Sequence, residues 1–316
     1  MIVTVTLNTA LDRSLTVPTL QLGQRHRASA VLTLAGGKGI NVARALKRLE
    51  VPVVATGLAG GRTGTRIVEE LTGEAILNDF VRIRDESRTS TLLVDPTSGR
   101  QTEINEWGPK VTESELGILM DKLRYLSRGA DAVVFAGSLP RGVAEAFYFE
   151  AARELARRSV RVALDTEGEP LRLGLDAEPW LVSPNQHEAE QLVGQELFDE
   201  EDFVMALDAI AELGARNVLV TLEDGAFALI REDRRVRRYR AVVPRLEPVS
   251  GVGAGDAFLA QWLTCRLDGV EAEEALRLAA AAGAASVLDV GAGRFDPAEA
   301  RRVASAVEVH ELQAVG

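Results

Sequence analysis

Short β-rich runs alternate with helical patterns along most of the chain. The β-rich runs predict strands at Ile2–Leu7, Val53–Gly57, Ala132–Ala136, Val160–Leu164, Trp180–Val182 and Asn217–Leu222. Apolar residues at helical spacing predict helices near residues 39–49, 64–72, 112–127, 143–158, 186–193, 202–213, 256–268, 271–288 and 297–306. This alternation is typical of an α/β fold, in which helices cover both faces of a mostly parallel sheet and ligands bind at the carboxyl ends of its strands.

Two stretches, Leu15–Leu34 and Phe80–Ile104, interrupt this alternation with strand-like patterns and turns that lack helical periodicity. Because they flank one βα unit, we expect them to meet as a small antiparallel sheet over the strand ends. We place these lid strands at about residues 12–34 and 80–105 of a single domain spanning 1–316. Such a lid would exclude water from a reaction site. A lid of few strands exposes edges and one apolar face, so we expect it to pair with a second copy in a homodimer.

Composition narrows the classes of partner. The 316 residues carry a net charge of −11, which argues against general binding to nucleic acid or to an anionic membrane. The single Cys265 excludes an internal disulfide, and three histidines make a zinc site improbable. The chain starts directly on a strand pattern, and its longest apolar run, around residues 278–288, is too short to span a bilayer. We therefore expect a soluble, cytoplasmic protein.

The turn Ser250–Asp256 carries the richest chemistry. Its glycines leave the backbone almost bare, and apolar residues from Phe258 onward repeat at the spacing of one helix face. The first amides of a helix lack partners and attract anions, and glycines let a phosphate approach them. An acidic side chain beside such amides suits a base that deprotonates a hydroxyl while the amides hold the phosphoryl group under attack. Asp256 is therefore our candidate base, with the amides of Gly253, Ala254 and Gly255 as the anion site.

A simpler interpretation of this turn is an ordinary glycine loop whose aspartate only favours the helix dipole. Two other nucleotide motifs are excluded by register. A Rossmann fingerprint needs a small residue where Asp256 stands, which disfavours a Rossmann oxidoreductase. A Walker A loop needs Ser or Thr after its lysine, whereas Gly39 follows Lys38.

A second bare turn, residues 35–41, enters the next helix with a cation and an amide side chain. Gly37 would let a sugar lie against the backbone, Lys38 offers a charge for a phosphate, and Asn41 can bridge hydroxyls. A capped helix with a solvated lysine explains the same residues equally well. Asp12, after the first strand, can accept two sugar hydroxyls, although an Asx-turn is the commoner use of such an aspartate.

Three further groups stand at strand ends. Ser138 places a hydroxyl near the same edge, and Arg88, which begins a predicted lid strand, could reach a phosphate of the substrate. Asn185 and Glu188 share one face of a helix start, where a carboxylate could organise Mg²⁺ through water. On the residues alone, a capping box without a catalytic role is the better interpretation of that pair. Asp224–Gly225 is typical of a hairpin turn. The arginine-rich segment 231–240 is typical of a solvated hairpin.

Five motifs resemble, in order and spacing, those of the ribokinase-like (PfkB) sugar kinases, and the match spans nearly the entire chain. They are GGKGINVA (36–43), TEIN (102–105), GSLP (137–140), SPNQHE (183–188) and GVGAGDAF (251–258). The resemblance implies a ribokinase-like three-layer α/β/α domain with a β lid, often shared across a homodimer. It also implies transfer of the γ-phosphoryl group of ATP to a sugar hydroxyl with Mg²⁺. The lysine of GGKGIN and the TEIN stretch are most similar to the 1-phosphofructokinase and tagatose-6-phosphate kinase branch.

The resemblance assigns roles by position. Asp256 would be the base, and the amides from Gly253 to Asp256 the anion hole for the phosphates of ATP. The residues that would hold the phosphosugar are Asp12, Gly37, Lys38, Asn41, Arg88 and Ser138. Those that would serve the nucleotide are Asn185, Thr221, Gly225, Gly253 and Gly255, with Glu188 serving Mg²⁺. The chain departs from the family pattern at Thr9, Trp107 and Gly251, which leaves the identity of the sugar open.

We therefore expect an ATP-dependent kinase that converts fructose 1-phosphate to fructose 1,6-bisphosphate. Lys38 and Arg88 motivate a phosphorylated acceptor, because a neutral sugar would leave both cations without an obvious partner. Tagatose 6-phosphate and fructose 6-phosphate are alternative acceptors. A non-catalytic sugar or nucleotide sensor on the same fold is a less favoured alternative, because Asp256 and its glycine loop are both present.

Overall fold

The computed structural model describes residues 1–232, 235–247, 250–289 and 291–314. Its strands, in chain order, are β1 (Ile2–Thr6), β2 (Ala10–Thr16), β3 (Ala30–Gly36), β4 (Val53–Gly60), β5 (Leu77–Ile83), β6 (Arg88–Asp95), β7 (Arg100–Asn105), β8 (Ala132–Ala136), β9 (Arg161–Asp165), β10 (Leu181–Val182), β11 (Val218–Leu222), β12 (Gly225–Glu232), β13 (Arg235–Val242) and β14 (Glu308–Leu312). Its α-helices are α1 (Lys38–Arg48), α2 (Gly61–Gly73), α3 (Glu113–Leu126), α4 (Phe147–Ala156), α5 (Gly168–Leu175), α6 (Gln186–Val193), α7 (Glu200–Glu212), α8 (Ala254–Leu267), α9 (Ala272–Ser286) and α10 (Pro297–Ala304). A short 3₁₀ helix, Ser127–Gly129, follows α3.

Within the described residues, ten strands form the main sheet in the order β14-β13-β12-β11-β10-β9-β8-β1-β4-β5. The strands from β11 to β5 in this order run parallel to one another. The hairpin strands β12 and β13, followed by β14, extend one edge in antiparallel pairing. The mostly parallel sheet expected from the sequence is therefore confirmed.

Side chains of the central strands alternate between two apolar layers. In β8, Val133 and Phe135 face one cluster of buried residues, whereas Val134 and Ala136 face the other. Such a period of two is what a strand buried on both faces requires. Helices α3 to α7 pack on the first face and α1, α2 and α8 to α10 on the second, which gives the three-layer α/β/α architecture.

A second sheet forms the lid, in the order β3-β2-β6-β7. The prediction of an antiparallel lid is wrong at its centre, because β2 pairs parallel with β6. Both strands leave the carboxyl edge of the main sheet, β2 after β1 and β6 after β5, so they start in the same direction. Phe80 also lies outside the lid, in β5 of the main sheet. The lid strands therefore lie within residues 10–36 and 88–105.

Several bounds differ from the sequence prediction. Helix α5 and the edge strand β14 were not predicted, since each is short and lacks a strong apolar repeat. The hairpin of β12 and β13 agrees with the interpretation of the arginine-rich segment as a hairpin. Its turn, residues 233–234, lies outside the described residues. No helix in the described part of the chain is long and apolar enough to cross a membrane.

Candidate active site

A cleft of about 260 Å³ opens between the lid and the carboxyl edge of the main sheet. The start of β6 and the strand β2 provide its lid wall, and the first turns of α1 and α8 provide its floor. Six candidate residues line it together: Asp12, Gly37, Lys38, Asn41, Arg88 and Asp256. The turn residue Gly253 lines it as well. The residues predicted to bind the acceptor and to perform the transfer thus largely share one cavity.

Asp256 lies in the first turn of α8 and is only 5% exposed. Its Oδ2 accepts a hydrogen bond of 2.9 Å from Nδ2 of Asn41 in α1. Burial, reinforced by the nearby charge of Asp165, raises the pKa of Asp256 to about 7, against the opposing effects of Lys38 and Asn41. A carboxylate with a pKa near neutrality is suited to accept a proton at the pH of a cell.

The glycines beside Asp256 differ in what they do for the fold. Gly253 caps α8 with a φ of +88°, and a Cβ there would lie 2.6 Å from Cα of Ala292, so the fold itself requires glycine. A Cβ at Gly251 or Gly255 would meet no atom of the described residues within 4 Å. Packing does not explain why these two positions are bare, whereas the approach of an anion to the helix amides would.

Lys38 stands at the start of α1 with its ammonium between two carboxylates. Nζ lies 3.0 Å from Oδ1 of Asp165 and 3.3 Å from Oε1 of Glu188. Burial alone would lower the pKa of Lys38, but these two carboxylates outweigh it and the pKa is raised. Lys38 is therefore fully charged, and it must leave these partners before it can contact the phosphate of an acceptor.

Asp165 was not among the sequence candidates, although it ends β9 at the carboxyl edge of the sheet. It is 5% exposed and pairs with Lys38, which also pairs with the nucleotide-side candidate Glu188. Its position at a strand terminus is a signal in the sequence that could have marked it, because ligands bind there in parallel sheets.

Asp12 and Arg88 occupy the lid side of the cleft. Asp12 is fitted against Gly36 of β3, where a Cβ would lie 1.9 Å from Oδ2 of Asp12, so a side chain at this position would displace the carboxylate. Burial raises the pKa of Asp12 to about 6, and the charge of Arg88 limits the rise. Arg88 donates from Nη1 to Oδ1 of Asn105 at 3.0 Å. Asp12 and Arg88 thus face the space that an acceptor would enter, and the lid residues Arg13 and Glu103 line the same cleft.

The other candidates lie at the same edge but outside the lining of the cleft. Oγ of Ser138 accepts a hydrogen bond of 3.1 Å from Nδ2 of Asn8. Asn185 caps α6 in a reciprocal capping box with Glu188, as the structural interpretation of that pair predicted. Thr221, near the end of β11, forms an isolated parallel β-bridge with Asn185. Gly225 has a φ of +140°, and a Cβ there would lie 1.9 Å from the carbonyl oxygen of Ala241, so the hairpin itself explains this glycine.

The donor set near Glu188 fits a water-held magnesium ion rather than an all-protein cage. No group of three or more metal-ligating side chains occurs among the residues that the structure describes. Glu188 and Asp165 nevertheless place carboxylate oxygens on both sides of one cation, the ammonium of Lys38. Mg²⁺ beside nucleotide phosphates usually takes one or two carboxylates and keeps several waters.

Two of the three positions that depart from the family pattern have clear structural settings. Thr9 is fully buried and donates from Oγ1 to the carbonyl oxygen of Leu58 at 2.8 Å. Trp107 is 86% exposed, just beyond the lid strand β7. Neither residue lines the cleft.

A buried carboxylate beside bare helix amides, in a lidded cleft of an α/β/α domain, is the arrangement expected of a kinase that phosphorylates a hydroxyl group. The model of the pfkB family carbohydrate kinases matches residues 4–299. The chain therefore belongs to this family and is an ATP-dependent sugar kinase. This finding confirms the resemblance seen in the motifs.

Curated relatives and solved structures agree with this assignment. The chain is 33% identical to 1-phosphofructokinase of Borreliella burgdorferi, over 91% of this chain and 92% of that protein. It is 35% identical to 1-phosphofructokinase of Xanthomonas campestris, over 97% of both. Phosphofructokinase-2 of Escherichia coli, solved in complex with substrates and products, has 30% identity and a TM-score of 0.89 over 96% of this chain and 98% of that one. The same protein is also described in a tetrameric inhibited form, with a TM-score of 0.85, 29% identity and the same coverage.

Proposed function

We propose that this kinase transfers the γ-phosphoryl group of ATP to the 6-hydroxyl of fructose 1-phosphate, which gives fructose 1,6-bisphosphate and ADP. The observation that carries the proposal is the placement of Asp256. Its buried carboxylate stands in the first turn of α8, in the same cleft as Asp12 and Arg88. A base, an anion site and a cation for a second phosphate are thus supplied within one cavity. The two relatives described above are both named 1-phosphofructokinase, which supports the choice of acceptor.

In this mechanism Asp256 accepts the proton of the acceptor hydroxyl as its oxygen attacks the γ-phosphorus. The new bond joins this oxygen to phosphorus, the bond from phosphorus to the β,γ-bridging oxygen breaks, and its electron pair leaves with ADP. The transition state is loose, so most of the acceleration comes from positioning and charge stabilisation rather than from the base alone. The amides at the start of α8 would donate hydrogen bonds to the charged oxygens of the transferred group.

The nucleotide side of the proposal rests on the edge formed by β10 and β11. Asn185, Thr221 and Gly225 lie at this edge, and Glu188 turns from it toward Lys38. We propose that Glu188 holds Mg²⁺ through water and that the first three residues approach ATP. When bound, Mg²⁺ would neutralise charge on the ATP phosphates.

The acceptor side rests on the lid. Arg88 is the cation best placed to bind the acceptor's own phosphate. It lies across the cleft from Lys38 and the two carboxylates that hold Lys38. Within the described residues, no carboxylate forms a short ion pair with Arg88. Asp12 would accept hydrogen bonds from hydroxyl groups of the sugar, and Ser138 and Gly37 would lie at the margins of the sugar site. Lys38, whose charge also acts on Asp256, would neutralise charge where the transfer occurs.

The test replaces Asp256 by Asn, which keeps the shape of the side chain and removes the base. A coupled assay for ADP over fructose 1-phosphate, tagatose 6-phosphate, fructose 6-phosphate and free fructose would measure turnover. We expect fructose 1-phosphate to have the highest kcat/KM, and the variant to lose about 10²- to 10⁴-fold in kcat while still binding ATP. Wild-type turnover in the variant would refute the role of the base, and a different best acceptor would refute the substrate.

We also propose that a second copy of the chain covers the lid. Val31 pairs with Leu15 and Leu15 with Leu93, so these three apolar side chains share the face of the lid that is turned away from the cleft. Ile104 lies on the same face, and Val31 and Ile104 are 57% and 56% exposed. We expect Val31→Lys combined with Ile104→Lys to convert a dimer into monomers in light scattering. A wild-type monomer, or a double variant of unchanged mass, would refute this arrangement.

A further inference from the structure

Arg44 is a buried cation that the proposed mechanism does not use. It lies on α1, one turn after Asn41, and is 3% exposed. Its guanidinium forms a two-point ion pair with Glu74, at 2.6 Å from Nε and 2.9 Å from Nη2. The remaining contacts go to the carbonyl oxygens of Ala35 (2.7 Å) and Ala292 (3.1 Å) and to Oδ1 of Asn41 (3.3 Å). All five of its N–H donors therefore have partners.

The contact with Asn41 decides which way round its amide lies. A carboxamide offers an acceptor oxygen on one side and a donor nitrogen on the other, whereas a guanidinium can only donate. Since Arg44 donates to Asn41, the amide must present Oδ1 to Arg44 and Nδ2 to Asp256. The 2.9 Å hydrogen bond to Asp256 is the consequence. Reversal of the amide would place a carbonyl oxygen against the carboxylate and an N–H group against the guanidinium.

Arg44 also holds two pieces of backbone that frame the cleft. Ala35 lies near the end of lid strand β3, just before the glycine that makes room for Asp12. Ala292 is the residue against which Gly253 packs at the start of α8. One guanidinium thus joins the root of the lid and the cap of the helix that carries Asp256.

We propose that Arg44 is a positioning residue that fixes the amide of Asn41 in the orientation that donates a hydrogen bond to Asp256. This inference rests on the proposed function, in which Asp256 is the base. The hydrogen bond favours the ionised carboxylate and so keeps the base ready to accept a proton. Arg44 touches neither the base nor a reacting atom, and it acts through Asn41.

The groups that face Asp256 oppose one another. Asp165 from β9 and Asp12 from β2 raise its pKa together with burial, whereas Lys38 and Asn41 from α1 lower it. Glu188 from α6 is paired with Lys38. Arg88 and Glu103 from the lid and Arg44 itself, which also lines the cleft, act on Asp12. Because burial dominates this balance, loss of the hydrogen bond from Asn41 should raise the pKa of Asp256 further. Activity that needs the deprotonated base would then require a higher pH.

The test compares Arg44→Lys with Arg44→Met by the pH profile of kcat. A lysine keeps the charge near Glu74, but one ammonium cannot reproduce the fork that spans Glu74 and Asn41. We expect the acid limb of both variants to move up by about 1 to 2 pH units, the equivalent of one hydrogen bond to a charged group. Much of the activity lost at neutral pH should return at high pH, with little change in KM for ATP.

Arg238→Lys is the matched control, because Arg238 is also a largely buried arginine in an ion pair with Asp208, and neither residue lines the cleft. It should lower Tm without moving the acid limb. If both Arg44 variants lose stability but keep the wild-type acid limb, Arg44 is only structural and the inference is wrong. If Arg44→Met does not fold, Arg44→Lys alone decides between these outcomes. An active Asp256→Asn enzyme would instead overturn the proposed function, whatever the Arg44 variants do.

Discussion

Substitution of Gly255 tests whether this glycine is required for folding or for the binding of a ligand. Gly255 is the second residue of α8, and a Cβ there would meet no atom of the described residues within 4 Å. An alanine in a helix loses less conformational entropy on folding than a glycine, which stabilises the protein by about 0.5 to 1 kcal/mol. In a domain of this size, we expect Gly255→Ala to raise Tm by about 1 to 4 °C.

In the proposed mechanism, the same methyl group would stand where a phosphate approaches the amides of α8. Loss of one hydrogen bond to a charged group corresponds to about a 10- to 100-fold effect on binding. We therefore expect kcat/KM for ATP to fall by about this factor while the stability of the protein rises. Thermal unfolding monitored by circular dichroism and steady-state kinetics with a coupled ADP assay measure the two effects independently.

Two other glycines provide matched controls. Gly117 lies exposed in α3, where an added Cβ would point into open space, so Gly117→Ala should raise Tm by a similar amount and leave the kinetics unchanged. Gly253→Ala should lower both Tm and activity, because its φ of +88° and the 2.6 Å approach to Ala292 exclude a side chain. A Gly255→Ala enzyme with a raised Tm and wild-type kinetics would refute the anion site, and a lowered Tm would assign this glycine to the fold.

Three further predictions concern charge. Since Asp256 must be ionised to act as a base and its pKa is raised to about 7, kcat should rise with pH through about 7, and a flat profile from pH 5 to 9 would contradict this. Because the pKa of Asp256 is raised in the folded protein, ionisation of this carboxyl group lowers the stability of the protein as pH rises from about 4 to about 7. Thermal unfolding should therefore give Asp256→Asn a higher Tm than the wild type at pH 8, and this difference should disappear toward pH 4. Arg88→Met should raise KM about 10- to 100-fold for fructose 1-phosphate and much less for free fructose, and equal effects on both sugars would remove Arg88 from the phosphate site.

The sequence was sufficient for the main architecture because its periodicities are strong. Strands such as β8 are apolar on both faces, and the glycine turns before α1 and α8 mark where helices begin. The lid was predicted as a unit, but the parallel pairing of β2 with β6 was not. Strand direction in that pair depends on where the chain leaves the main sheet, and no local pattern encodes it.

The candidate site was predicted residue by residue, but its internal contacts were not. Asp12, Lys38, Arg88 and Asp256 share the cleft. The attachment of Lys38 to Asp165 and Glu188 involves residues 127 and 150 positions apart in the chain, so only the folded sheet brings them together. Arg44 was missed for a related reason: a charged residue on the first helix looks like part of a solvated face until the structure shows that it is buried.

The cations of this site are largely paired with carboxylates, so additional positive charge is needed when the anionic substrates bind. Lys38 is already held by Asp165 and Glu188, and Arg44 is held by Glu74, so neither cation is free to meet an incoming phosphate. In the proposed reaction two anionic substrates nevertheless meet beside Asp256, in a protein whose net charge is −11. Arg88 and the amides of α8 offset part of that repulsion, and a cation bound with the nucleotide would supply more and compete with Lys38 for the same carboxylates. In the proposed mechanism, Lys38 would therefore be released toward the phosphoryl group only once the nucleotide and its cation have arrived.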